Sequence, residues 1–142
     1  MITRDSSAQW EGSLVDGKGT MRLGSGAYEG AYTRASRFEH APGTNPEELI
    51  GAAHAGCFSM ALAGILSKAG FPPTQINTTA RVHLGDGPRI TLIELSTTGI
   101  VPGIDERTFI ECAEQAKKGC PVSQALASVE IRLTAELIQQ ES

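Results

Sequence analysis

Asn45-Pro-Glu-Glu-Leu-Ile-Gly-Ala-Ala-His-Ala-Gly-Cys-Phe-Ser-Met-Ala-Leu-Ala-Gly-Ile-Leu-Ser-Lys-Ala69 is the stretch on which the fold turns. Asn45 is suited to cap a helix and Pro46 to open it, with Glu47 and Glu48 at the positive end of its dipole. The helix expected from here to about Ala69 is small or apolar nearly all round. Gly51, Ala52, Ala53, Ala55, Gly56, Ala61, Ala63 and Gly64 leave few long side chains to solvate, and a helix of that kind is normally central and buried. His54 and the interspersed Gly and Ser residues make it a core helix rather than a membrane span. Gly70-Phe-Pro-Pro73 ends it.

Towards the N-terminus, Ala8, Trp10, Gly12 and Leu14 alternate with Gln9, Glu11 and Ser13, which is strand periodicity. Gly17, Gly19, Gly24, Gly26 and Gly30 punctuate the segment as hairpin connections do. A further extended segment is expected over residues 31–39, then a loop to Asn45. Beyond the helix, Ile76, Ala80, Val82 and Leu84 lie at strand spacing, and Gly85-Asp-Gly-Pro88 turns into a β-branched run over residues 90–101. A second helix is expected over residues 105–118, with Phe109, Cys112, Ala113 and Ala116 as its apolar stripe and Gly119 as its stop. A short helical turn follows near residues 121–127. Val129, Ile131, Leu133, Ala135 and Leu137 then alternate strictly with polar residues, which reads as a half-solvated antiparallel strand. The order predicts an α+β fold in one domain, residues 1–142, with antiparallel sheet wrapped on a central buried helix.

Hydrophobic content of 40% and charged content of 20% are ordinary for a globular protein. A net charge of −4 offers no footprint for nucleic acid, and no basic amphipathic helix is present to lie on a membrane. Met1-Ile-Thr-Arg-Asp-Ser-Ser7 lacks the apolar core of a secretory signal, so the expected compartment is the cytoplasm, where thiols stay reduced. There, an odd set of three cysteines, Cys57, Cys112 and Cys120, points to redox or catalytic use of some of them.

Local context separates the three. Cys120 follows Gly119 and precedes Pro121, placing it at the start of a helical turn near Lys117 and Lys118, where a thiolate is favoured. The bland reading is that Cys-Pro merely starts a helix. Cys57 sits mid-helix, where burial raises its pKa; it is a small hydrophobe unless tertiary structure brings a cation, for which Arg37 is a candidate. Cys112 falls on the apolar stripe and reads as core. His54 and Cys57, three apart on a helix and joined by Cys120, offer a metal set; there is no CxxC pair to support it, His40 and His83 sit in unrelated segments, and His54 reads rather as a hydrogen-bonded helix residue.

Arg37-Phe-Glu39, Gly43-Thr-Asn-Pro-Glu-Glu-Leu49, Gly51-Ala-Ala-His-Ala-Gly-Cys-Phe-Ser-Met-Ala-Leu62, Val101-Pro-Gly-Ile-Asp105 and Lys118-Gly-Cys-Pro-Val-Ser123 together resemble the OsmC/Ohr family, in its osmotically inducible protein C branch. The resemblance spans nearly the whole chain, with both cysteine motifs in order. It implies a thiol-dependent peroxidase acting on organic hydroperoxides and, less well, on hydrogen peroxide. It implies an intertwined homodimer with sites at the subunit interface, no bound cofactor, and a dithiol or lipoylated protein as reductant. On that pattern Cys57 is the peroxidatic residue, Cys120 the resolving one, and Arg37 and Glu47 the charged pair. The local reading favours Cys120 as the activated thiol and the family favours Cys57. Gly56, where relatives often carry alanine, is a departure expected to be tolerated.

Glu47 lies ten residues before Cys57, a rise of about 15 Å along a straight helix. It is therefore expected to act through Arg37, through a bend near Gly51 or Gly56, or from a partner subunit. Phe38, Leu49, Phe58 and Met60 would give an apolar setting suited to organic peroxides, or else are ordinary core. The competing function classes are a non-catalytic dimeric binding module with inert cysteines and a zinc-dependent enzyme using His54 and Cys57.

Overall fold

The first three strands form an antiparallel meander. In the computed structural model, which describes residues 1–138, β1 (Ser6–Glu11), β2 (Lys18–Leu23) and β3 (Glu29–Tyr32) pair in the order β1-β2-β3. Trp10, Gly19 and Tyr32 stand side by side across these strands. The two rings tilt together with centroids 5.4 Å apart, and a Cβ on Gly19 would lie 2.6 Å from the Tyr32 ring and 2.7 Å from that of Trp10. The glycine is what lets the aromatic pair cover the sheet at this point.

Residues 31–39, expected to be extended, leave the sheet at Tyr32. Arg34–Phe38 form a short helix, α1. Thr33 and Ser36 bond reciprocally at its start: the Ser36 amide donates to Thr33 Oγ1 at 3.1 Å and the Thr33 amide donates to Ser36 Oγ at 2.8 Å. The third position of such a box is usually Glu or Gln; a serine there conceals the signal. The strand alternation expected to reach Leu14 stops at Glu11, because Gly12 turns the chain at a φ of 95°.

The long helix is α2 (Pro46–Lys68). Asn45 caps it, its Oδ1 accepting from the Glu48 amide at 2.8 Å. At the other end the Phe71 amide reaches back to the Leu66 carbonyl at 2.8 Å around Gly70, whose φ is 94°, the hydrogen bonding of a glycine-terminated helix. One compact unit comprises Met1–Leu49 and a second begins at Ile50.

In the second unit, β4 (Gln75–Gly85) and β5 (Arg89–Ile100) make a long antiparallel hairpin, and β6 (Glu130–Leu137) adds to β5. β6 runs parallel to β5, pairing Leu92 with Glu130 through Gly99 with Leu137, so the antiparallel expectation is corrected. Alternation reports that one face is buried and the other wet; it carries no information on direction. Direction is set by the connection, which carries α3 (Glu106–Gly119) and α4 (Pro121–Ala125) and so has the length a parallel crossover needs.

α3 buries the expected stripe of Phe109, Cys112, Ala113 and Ala116. These pack with Phe58, Leu62 and Leu66 of α2 and with Ile93, Leu95 and Val101 as one core. α2 buries Gly51, His54, Phe58, Leu62 and Leu66, which share one face at helical spacing. The opposite face, with Ala52, Gly56, Met60 and Gly64, is exposed in the single chain, and Met60 is 79% accessible. All-round burial of this helix is therefore not achieved within one protomer. The architecture is α+β with two three-stranded sheets.

Candidate active site

Two pairs of side chains named from the sequence are brought together. In the second unit, the sulfurs of Cys57 and Cys120 lie 2.8 Å apart, and both thiols are free. Cys57 projects from α2 and is half-buried, whereas Cys120 is fully buried. Cys120 closes α3 and opens α4 at once. Its amide donates to the Ala116 carbonyl at 2.9 Å and its carbonyl accepts from the Gln124 amide at 3.0 Å. With Pro121 following, the junction has little freedom, and the Cys120 sulfur is held at one point of α2.

The two thiols titrate as a pair. Burial pushes the Cys57 thiol up, and its hydrogen bond with Cys120 pushes it further, with the Val122 amide opposing. Burial also pushes the Cys120 thiol up, but the contact with Cys57, the Ser123 amide and hydroxyl and the Val122 amide outweigh it, so the net displacement is downward. The two thiols are thus displaced in opposite directions, Cys57 up and Cys120 down. Access runs the other way, because Cys57 is the half-buried residue of the two and Cys120 the fully buried one.

In the first unit, Arg37 of α1 and Glu47 in the first turn of α2 form a two-pronged ion pair, Nε to Oε1 at 2.8 Å and Nη2 to Oε2 at 3.1 Å. The carboxylate is buried and the guanidinium half-buried. The Glu47 hydrogen bonds raise the Arg37 pKa against the opposing cost of burial, so the cation is secured. Glu48 is used otherwise, accepting from the Thr44 hydroxyl at 3.0 Å. The guanidinium also lies over the Phe38 ring, 5.3 Å from its centroid, within cation–π range.

A family model described as OsmC-like protein matches residues 39–134. The chain is also 51% identical over 140 residues to peroxiredoxin OsmC of Escherichia coli strain K12, covering 96% of this chain and 97% of that one. The chain belongs to the OsmC family. Solved structures share its fold. An OsmC-like protein from Mycoplasma pneumoniae superposes with a TM-score of 0.74 at 17% identity, covering 96% of this chain and 98% of that one. The organic hydroperoxide resistance protein OhrB of Bacillus subtilis superposes with a TM-score of 0.64 at 19% identity, covering 94% and 98%.

Other candidates in this OsmC-family chain are placed as follows. Cys112 is buried in the core, where burial raises its pKa. Phe58 is core, while Phe38 and Met60 are exposed in the protomer and Leu49 is half-buried. His54 is buried, and its Nε2 meets Ser123 Oγ at 2.7 Å. Among the described residues, no group of three or more His, Cys, Asp and Glu is arranged to hold a metal.

Sequence reasoning missed two features. Ser123 closes the second cysteine motif without a role of its own; its position three residues after Cys120, in the first turn of a helix, is the signal that points back at the sulfur. A cavity of about 410 Å³ in the first unit is lined by Trp10, Leu14, Tyr32, Arg34, Arg37 and Phe38. It draws on two separate segments, residues 10–14 and 32–38, and has no local signature.

Proposed function

We propose that the protein is a thiol peroxidase that reduces organic hydroperoxides, and less well hydrogen peroxide, in defence against oxidative and osmotic stress. The observation that carries this reading is the 2.8 Å approach of a half-buried Cys57 to a buried Cys120. The Cys57 thiolate attacks one peroxide oxygen; an S–O bond forms, the O–O bond breaks, and the leaving oxygen takes a proton to depart as alcohol or water. Cys57 is left as a sulfenic acid. Cys120 sulfur then attacks Cys57 sulfur, the S–O bond breaks, and hydroxide leaves with the Cys120 proton as water. The resulting Cys57–Cys120 disulfide is reduced by an external dithiol or lipoylated protein, two electrons per turnover.

Arg37 stabilises the thiolate and the charge moving onto the leaving oxygen, and Glu47 holds Arg37. The chain acts as one OsmC-like domain in an intertwined homodimer, its sheets wrapped about α2 and its site completed across the interface. The unpartnered small-residue face of α2, with Met60 at its centre, supports a second copy. A cytoplasmic location suits a cycle that ends in thiol reduction.

The test follows consumption of cumene hydroperoxide with a dithiol reductant. Cys57→Ser abolishes turnover, and Cys120→Ser halts after one oxidation per chain. Equally slow wild type and variants would overturn the peroxidase. Sedimentation in parallel tests the dimer: a monomer with full activity at high dilution overturns the shared site.

A further inference from the structure

We propose that His54 and Ser123 are positioning residues for the resolving thiol: His54 Nε2–H donates to Ser123 Oγ, and the Ser123 hydroxyl donates to the sulfur of Cys120. The inference rests on the peroxidase reading and adds to it a built-in device for the second chemical step.

The geometry is a pair of side-by-side contacts between two elements. His54 and Cys57 are three apart on α2, so they lie on adjoining turns of one side of the helix. Cys120 and Ser123 are three apart at the opening of α4. Each residue of one pair meets one of the other: Cys57 meets Cys120 at 2.8 Å, and His54 meets Ser123 at 2.7 Å. His54, Cys120 and Ser123 are all buried, the first two completely. Water is not available to substitute for either link.

The direction of the hydrogen bonds follows from counting protons. Burial lowers the His54 pKa, so the ring is neutral and carries one N–H. Its Nδ1 is buried without a hydrogen-bond partner among the described residues. A proton on Nδ1 would be an orphaned donor, and Nε2 would then take the Ser123 proton away from Cys120. A proton on Nε2 has a partner and leaves the serine free to donate onward. Burial pushes the Cys120 thiol up, and the Ser123 hydroxyl and amide are among the groups that, with Cys57 and the Val122 amide, bring it down. A hydroxyl polarised by a fixed imidazole is a stronger donor than a free one.

In the resolving step the Cys120 thiol surrenders its proton, its sulfur supplies the electron pair to Cys57, and hydroxide leaves Cys57 to become water with that proton. Cys120 is oxidised and Cys57 reduced. The His54–Ser123 pair supports the anionic Cys120 sulfur during the attack and keeps it in line with Cys57; His54 and Ser123 neither gain nor lose a proton overall. Oxidation of Cys57 by peroxide precedes this and does not use the His54–Ser123 pair.

The experiment is a single turnover of the reduced, full-length protein with one equivalent of cumene hydroperoxide and no reductant. Sulfenic acid is trapped with dimedone, and disulfide is followed by loss of free thiol. In Ser123→Ala and His54→Leu, sulfenic acid forms at the wild-type rate, accumulates, and converts to disulfide about tenfold more slowly, the weight of one hydrogen bond to a developing charge. Ser123→Thr keeps the hydroxyl, and His54→Gln places an amide N–H near the position of Nε2; both restore fast resolution. If His54→Leu does not fold, Ser123→Ala and Ser123→Thr decide the matter alone. Wild-type resolution in Ser123→Ala overturns the inference, as does equal slowing of oxidation and resolution or failure of rescue. Wild type that forms neither sulfenic acid nor disulfide overturns the peroxidase reading itself, and this inference with it.

Discussion

Arg37 and Glu47, ten positions apart in the chain, meet edge to edge, Nε on Oε1 and Nη2 on Oε2. The fork fixes the plane of the guanidinium as well as its place. A lysine at position 37 supplies charge without that plane. Arg37→Lys and Glu47→Gln are each expected to lower kcat/KM for cumene hydroperoxide at least about tenfold, the scale of a lost charged hydrogen bond. Circular dichroism should show both variants folded. Unchanged kcat/KM in Glu47→Gln would remove Glu47 from the positioning role.

The thiol pair gives a prediction with opposite signs on its two members. Cys57 is held up by burial and then by Cys120, and Cys120 is brought down in part by Cys57. Replacing Cys120 with alanine should lower the pKa of Cys57, and replacing Cys57 with alanine should raise that of Cys120. Ultraviolet thiolate absorbance against pH, in a background lacking Cys112, reads both. Shifts of the same sign would overturn these directions, and no shift in either variant would show that the thiols are not coupled.

Cys112 belongs to the core of α3 and touches none of the proposed chemistry. Cys112→Ala should retain full peroxidase turnover and lose about 1 kcal/mol of stability through the small void it leaves. Denaturant midpoints and the turnover assay check the two halves separately. A loss of turnover without a loss of stability would bring Cys112 into the catalytic cycle and end its reading as core.

His54 should make stability depend on pH near neutrality. Burial lowers its pKa from the ordinary value of 6.5, so the unfolded chain binds the proton more readily than the folded one. Its contribution is complete above about pH 6.5 and is lost as pH falls through the folded value, with a slope of at most about 1.4 kcal/mol per pH unit. Denaturant midpoints at about pH 7.5 and about pH 5 should differ more in wild type than in His54→Gln. Equal differences would mean that His54 protonates as freely folded as unfolded.

Much of this molecule is legible without coordinates. The bounds of α2 follow from Asn45, Pro46 and Gly70, and the buried stripe of α3 from the spacing of Phe109, Cys112, Ala113 and Ala116, because caps and helical periodicity are short-range and written in adjacent residues. The assignment proposed for the reactive cysteines rests on motif resemblance, whereas the downward displacement of Cys120 comes first from its contact with Cys57 and then from the Ser123 and Val122 groups of the following turn. α1 was hidden because a Thr-Ser capping box lacks the usual acid, and the direction of β6 because alternation describes faces and not polarity.

What sequence alone determined is therefore the two longer helices and the longer strands, the α+β class and the family, all of which rest on local hydrogen bonding, side-chain periodicity and contiguous motifs. Local spacing carried no sign of which groups meet: Arg37 with the acid at 47 and Cys57 with a sulfur 63 positions away were implied by motif resemblance, and His54 with a serine 69 positions away was decided by tertiary structure alone. Such contacts depend on how elements pack at separations where neighbouring residues carry no trace of the partner, and the desolvation that shifts each pKa exists only once that packing has excluded water.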